Sequence, residues 1–238
     1  MVQQANQYYG DRLGNSIYYK LYEGYYIRSV PSVVKQTAAT KLRSNNFAIA
    51  SRAAGMMRCL LEPVIPFNKD KKMQNSFAGV FMKWLQLNTL QQLQPATDLP
   101  FVQNFQFNDA CSLSERCKIP LTVTQVNNGL LQLHLPTFIP AKSIDAPAST
   151  SNVTFTITAA SCALANGEEN GCFTRQFTVP YTTAEIPEQI IKLPLSMPQG
   201  SLVIVAVALQ YGSDINKDLK SHNNISFMSS GVIASMYI

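Results

Sequence analysis

His134 and His222 are the only imidazoles in the 238 residues, and they bound what chemistry this chain could run. Nucleophilic catalysis needs a Ser, Thr or Cys beside a histidine that an acid orients. No GxSxG elbow occurs. His134 stands in the alternation Leu131, Leu133, Leu135 against Gln132 and His134, which places it on the outward side of a half-buried strand. His222 lies in the polar run SHNNIS, a solvated loop. The cysteines are Cys59, Cys111, Cys117, Cys162 and Cys172, an odd number with no CxxC. A structural zinc needs four close thiolate or imidazole ligands, so no metal is expected. Buried free thiols are the simpler reading. Cys162 and Cys172 are the one pair placed to face each other across a hairpin.

Other site patterns fail in the same way. Neither GxxxxGK[ST] nor GxGxxG is present, so no phosphate cradle and no nucleotide cofactor is expected. Paired acids serve glycoside hydrolysis or calcium binding. Glu168-Glu169 and Asp214…Asp218 sit in turn-like stretches and read as solvated turn residues. The spacing Asp214, Asn216, Asp218 lacks the glycine an EF-hand needs at its sixth position, and its twelfth residue is Ile225. No catalytic residue, cofactor or small-molecule substrate is identified. The expectation is a protein that is not an enzyme.

What stands out instead is contact chemistry. Seven of the ten tyrosines lie in the first 26 residues: Tyr8, Tyr9, Tyr18, Tyr19, Tyr22, Tyr25 and Tyr26. Residues 1–72 hold eleven Lys/Arg against four Asp/Glu, and residues 73–238 hold eight against ten. Lys35, Lys41, Arg43, Arg52, Arg58, Lys69, Lys71 and Lys72 could meet phosphates while tyrosines stack on bases. The basic residues are not lined up in one stripe, so a solvated helix face or a protein partner is the favoured reading over nucleic acid. Charged residues are only 14% of the chain, against the usual quarter. A surface sparse in charge repels other copies of itself less.

The elements that carry these residues follow from period and punctuation. Ser16–Lys20 and Tyr25–Arg28 are rich in strand formers, Glu23-Gly24 supplies turn chemistry, and Pro31 ends the second strand. Aromatic pairs at consecutive positions put tyrosine on both faces. From Thr37 the period lengthens. Leu42, Asn46, Ile49, Ala53, Met56 and Leu60, flanked by Phe47, Ala50, Ala54, Met57 and Leu61, predict an Ala-rich helix over 37–61 with Thr37 as its cap. Pro63 and Pro66 stop it. Met73, Phe77, Val80, Phe81, Trp84, Leu85 and Asn88 predict a second helix over 69–93, capped by Asn68 or Asp70, and the short link predicts an antiparallel pair.

After Pro95 the pattern turns to strands: 101–107, 119–126, 130–135, 153–160, 173–179, 189–193, 202–211 and 232–238, with a loop at 140–151. Alternation such as Val153, Phe155, Ile157 against Thr154, Thr156, Thr158 is that of an antiparallel sandwich. The fold class predicted is α+β: an N-terminal β-hairpin arm over 1–35, an antiparallel basic helical pair over 36–95, and a β-sandwich over 96–238. Residues 119–238 suit an immunoglobulin-like arrangement, without its Cys…Trp…Cys signature, since the one tryptophan is Trp84.

Gly14-Asn15, Tyr18-Tyr19, Gly24, Tyr26 and Arg28-Ser29-Val30-Pro31 form a pattern similar to the opening of a family of uncharacterised proteins found mainly in Bacteroidota. In that family a hairpin of the form GN…G…RS.P leads to a helical stretch, whose marked positions Thr37, Thr40 and Phe47 would fill, and then to a sandwich-like half. The resemblance implies this order of parts and brings no activity. Together these readings predict a structural subunit that self-associates into a repetitive complex, such as a filament or phage particle. The arm residues Tyr8, Tyr9, Tyr18, Tyr19, Tyr22, Tyr25, Tyr26, Ile27 and Arg28 would make the contact and a homo-oligomer would result. A nucleic-acid-associated protein and a surface- or carbohydrate-binding sandwich are the alternatives. No signal peptide is seen at the N-terminus, and the longest apolar run, 202–209, is too short to span a bilayer. A cytoplasmic location, or one within an assembled particle, is expected.

Overall fold

The computed structural model of the protein describes residues 12–22, 24–30, 36–66, 70–87, 97–100, 102–127, 129–212 and 228–238. Tyr8, Tyr9, Pro31, Lys35, Lys69, Phe101, Asp214, Asp218 and His222 lie outside these described residues, as does 88–93 of the second predicted helix. The chain forms two compact units, one ending at Leu42 and one beginning at Arg43. The class is α+β, with antiparallel sheets throughout.

The first unit holds β1 (Arg12–Leu13), β2 (Ser16–Leu21) and β3 (Gly24–Ser29), in the order β1-β2-β3. The predicted hairpin is present, with its turn one residue earlier than expected. Leu21 pairs with Gly24, so Gly24 opens β3 and is not part of the loop. Tyr22 takes the left-handed conformation, φ 53°, that a two-residue hairpin loop demands at its first position.

Helix α1 (Ala38–Leu60) starts where predicted, and the Thr40 N–H donates to Thr37 Oγ1 at 3.2 Å. Its second half buries Ile49, Ala50, Ala53, Ala54, Met57 and Leu60. The expected stripe does not extend to its first half, where Leu42 and Phe47 are 57% and 60% exposed. A 3₁₀ turn (Glu62–Val64) leads towards α2 (Lys71–Leu87). Asp70 is the cap of α2: its Oδ1 accepts from the Lys72 and Met73 N–H groups at 2.8 and 3.3 Å. Asn46 reaches the Leu85 carbonyl and Arg58 the Gln74 carbonyl, so the two helices run antiparallel.

The second unit adds β4 (Thr97–Asp98), α3 (Leu113–Arg116), β5 (Thr122–Asn127), β6 (Leu130–Leu135), α4 (Pro140–Ser143), β7 (Asn152–Ala163), β8 (Glu169–Pro180), β9 (Gln189–Pro194), β10 (Ser201–Gly212) and β11 (Ser229–Tyr237). One sheet has the order β4-β11-β10-β7-β8 and the other β5-β6-β9. The sandwich core lies between them, with Leu131, Leu133, Phe155, Ile157, Val205 and Leu193 among its buried residues. The other face of the larger sheet packs on α1 and α2, where Ile204, Ala206, Ala160 and Cys162 meet Ala53, Met57, Phe77 and Trp84. Strand β10 is therefore buried on both faces, which is why it reads as the unbroken run LVIVAVAL. Lettered A to G from β5, the sheets read A-B-E and G-F-C-D. This differs from the constant-type immunoglobulin order in the fourth strand, which pairs with the third. The fold is therefore defined by its own sheet orders.

Two local expectations are corrected. Residues 102–107 form turns and a single bridge, Gln106 to Gly231, in place of a strand. Asn104 is left-handed at φ 67°, which interrupts the extended backbone, and Phe105 and Phe107 pack against Phe77 at 4.9 and 5.6 Å. The 140–151 loop contains the single turn α4, with Pro140 in its first turn.

The β7–β8 turn sits directly on α1. Gly167 has φ +73°, and a Cβ there would lie 3.1 Å from Arg52 Cβ and 3.2 Å from its backbone carbon. Gly167→Ala is expected to cost about 1–3 kcal/mol, combining left-handed strain with displacement of the helix. Denaturant unfolding monitored at Trp84 checks it.

All five thiols are free; Cys111, Cys117 and Cys162 are buried and Cys59 and Cys172 exposed. The predicted facing of Cys162 and Cys172 does not occur, because Cys172 pairs with Ala160 and Cys162 with Glu169. Burial pushes the Cys162 thiol up to about 12, and raises Cys117 and Cys172 as well. At pH 8 an alkylating reagent is expected to modify Cys59 first, Cys172 more slowly, and the buried three only on unfolding, as peptide mass analysis would show. Above pH 9 the unfolded chain ionises Cys162 while the folded chain keeps its proton. Its contribution to stability is therefore lost as the pH rises towards 12.

Candidate functional site

The arm presents aromatic surface on both faces. Cross-strand pairing puts Ile17, Tyr19, Tyr26 and Arg28 on one face and Tyr18, Tyr25 and Ile27 on the other. Tyr19 and Tyr26 stack at 5.7 Å, and the Arg28 guanidinium lies 6.0 Å from the Tyr19 ring centre. Tyr22 is 91% exposed, Ile27 64%, Tyr25 55% and Tyr26 48%. Among the described residues no further strand lies beside β3.

Among the described residues of the second unit the basic side chains do not converge. Lys41 and Arg43 project from the exposed first half of α1. Arg52 Nε bonds the Ala48 carbonyl of its own helix at 3.3 Å, and Arg58 is turned to the α2 backbone. Lys72 pairs with Asp109 at 3.0 Å, and that hydrogen bond raises its pKa. Lys71 is exposed at the start of α2.

The structure brings together one group that the pattern reading missed. The Thr122 hydroxyl lies 3.5 Å from His134 Nδ1, and His134 Nε2 lies 2.7 Å from Glu188 Oε1. The order hydroxyl, imidazole, carboxylate is that of an activated nucleophile. The hydroxyl contact is at the limit of a hydrogen bond, and the imidazole and carboxylate are 39% and 59% exposed on an open sheet face. Water is not excluded there, so the group serves as a cross-strand tie of modest strength. Register could have found Thr122 opposite His134. Glu188 precedes β9 and joins only through tertiary pairing.

Comparison with known proteins adds no function. No family model matches the chain, and no curated protein matches it in sequence.

A cavity of about 280 Å³ lies between the β5 edge and β11, lined by Leu121, Thr122, Val123, Ile233, Ala234 and Met236 with neighbours. This is below the roughly 300–1,000 Å³ that encloses a drug-sized ligand. Among the described residues no three metal-ligating groups converge, and no helix is long and apolar enough to cross a membrane.

Proposed function

We propose that the protein is a structural subunit, not an enzyme, that self-associates through its N-terminal arm into a repetitive complex. The observation that carries this reading is the two-faced exposure of aromatics on the hairpin. A small antiparallel sheet with neither face buried is marginal in water and gains most by lying on a partner. Tyrosine buries large area while its hydroxyl keeps a hydrogen bond, which suits it to interfaces. The scatter of the basic residues favours this reading over nucleic acid. Removal of residues 1–31 tests it: the expected result is loss of every species larger than the single chain while the sandwich still unfolds cooperatively. Unchanged assembly of the truncated chain would overturn the reading. Steeply salt-dependent binding of DNA or RNA to either chain would favour the alternative.

A further inference from the structure

Among the described residues of the second unit, three large apolar side chains stand exposed: Phe47, Val126 and Ile190, at 60%, 52% and 61%. Phe47 lies one helical turn from Arg43, and β5, which carries Val126, holds no charge. Ile190 has different company. It sits on the outer face of the smaller sheet, opposite His134 in the register. Glu188 reaches this face two residues earlier, where it pairs with His134 at 2.7 Å. Lys192 stands on the same face two residues later. Along β9 the outer face therefore runs acid, aliphatic, base.

We propose that this outer face is the seat for the arm of a second copy, packed sheet on sheet, with the Arg28 guanidinium on the Glu188 carboxylate and the Tyr26 ring on Ile190. This rests on the self-association reading above and names its receiving surface. The spacings match. Tyr26 and Arg28 are two residues apart on one face of β3, and Glu188 and Ile190 are two apart on the seat, so each pair spans about 6.7 Å of extended chain. Lys192 sets the direction, because the reverse placement puts Arg28 against a like charge. One Glu188 oxygen is taken by His134, and a carboxylate has room for further donors. Net charge points the same way: residues 1–35 hold four Lys/Arg against two Asp/Glu, and residues 96–238 hold seven against ten. The arm face is also ordered before contact, with Tyr26 stacked on Tyr19 and Arg28 beside the Tyr19 ring, so docking fixes few new rotamers. The opposite face, where Ile27 is 64% exposed, is left to a further contact of the same assembly. The contact joins two different surfaces, so repetition builds a ring or an open filament.

Exchange of the two charges tests the seat and separates it from the reading beneath it. Arg28→Glu and Glu188→Arg are made as two full-length chains, both at exposed positions. Each alone brings like charges together, so each is expected to need at least about tenfold more protein to assemble, read by light scattering. An equimolar mixture of the two is expected to assemble as the parent does. In it the substituted arm of one chain meets the substituted seat of the other, and the native arm meets the native seat. Rescue by mixing requires that both chains are folded and that the contact lies between copies. A mixture that stays as single chains would overturn the seat, as would either variant assembling alone like the parent. If removal of residues 1–31 abolishes assembly while the two charge variants assemble normally, the seat is wrong and the self-association reading stands. If that removal has no effect, both fall.

Discussion

On the self-association proposed above, replacing Tyr22 by asparagine and Tyr25, Tyr26 and Ile27 by threonine is expected to leave only single chains. All four are about half exposed or more, so the isolated fold loses little contact by the change. Threonine keeps strand propensity in β3 and asparagine tolerates the left-handed conformation of position 22, so the hairpin can still form. The loss falls on the interface. Central aromatics in interfaces often cost on the order of 2 kcal/mol or more when truncated. A micromolar contact holds only about 8 kcal/mol, so three tyrosines and an isoleucine are enough to dissolve it. Tyr26 also stacks on Tyr19, which puts about 0.5–1.5 kcal/mol of the effect within the arm itself. Restoring Tyr26 alone separates these contributions: the ring-current shifts of the Tyr19–Tyr26 stack return in proton NMR, and assembly does not.

Phe155→Ala is the substitution with the largest expected effect on stability. Phe155 is 1% exposed between the two sheets, stacked on Phe177 at 5.0 Å and meeting Phe138 edge-on at 6.3 Å. Truncation opens a cavity that the flanking strands cannot close, since β7 is hydrogen-bonded on both sides. About 3–5 kcal/mol is expected, which for a chain of this size lowers Tm by roughly 6–20 °C. Calorimetry of the variant beside the parent checks it. Phe177→Ala should cost less, because Phe177 is on an edge strand and only half-buried.

Sequence pattern reached the interior more surely than the periphery. The run at 202–209 and the alternation at 130–135 are direct records of burial, and both strands lie where they were read. Thr37 and Asp70 were legible as caps because capping depends on one side chain and the next few backbone N–H groups. Leu42 and Phe47 misled because helical period says which residues share a face, not how far along the helix that face stays covered. Phe105 and Phe107 misled because alternating aromatics fit a strand and an aromatic cluster equally well, and only α2 decides between them. The position of β5 at a sheet edge, beside the cavity, was out of reach, since which strand ends a sheet is a matter of sheet order. The arm was legible as a hairpin from its own residues, whereas its exposure needed coordinates.

The most direct test of the central claim is the native mass of the full chain by light scattering across a wide range of concentration. Self-association predicts masses at multiples of 26.3 kDa that grow with concentration. A constant 26.3 kDa up to about 100 μM would contradict it, since a contact that weak falls short of the micromolar association proposed.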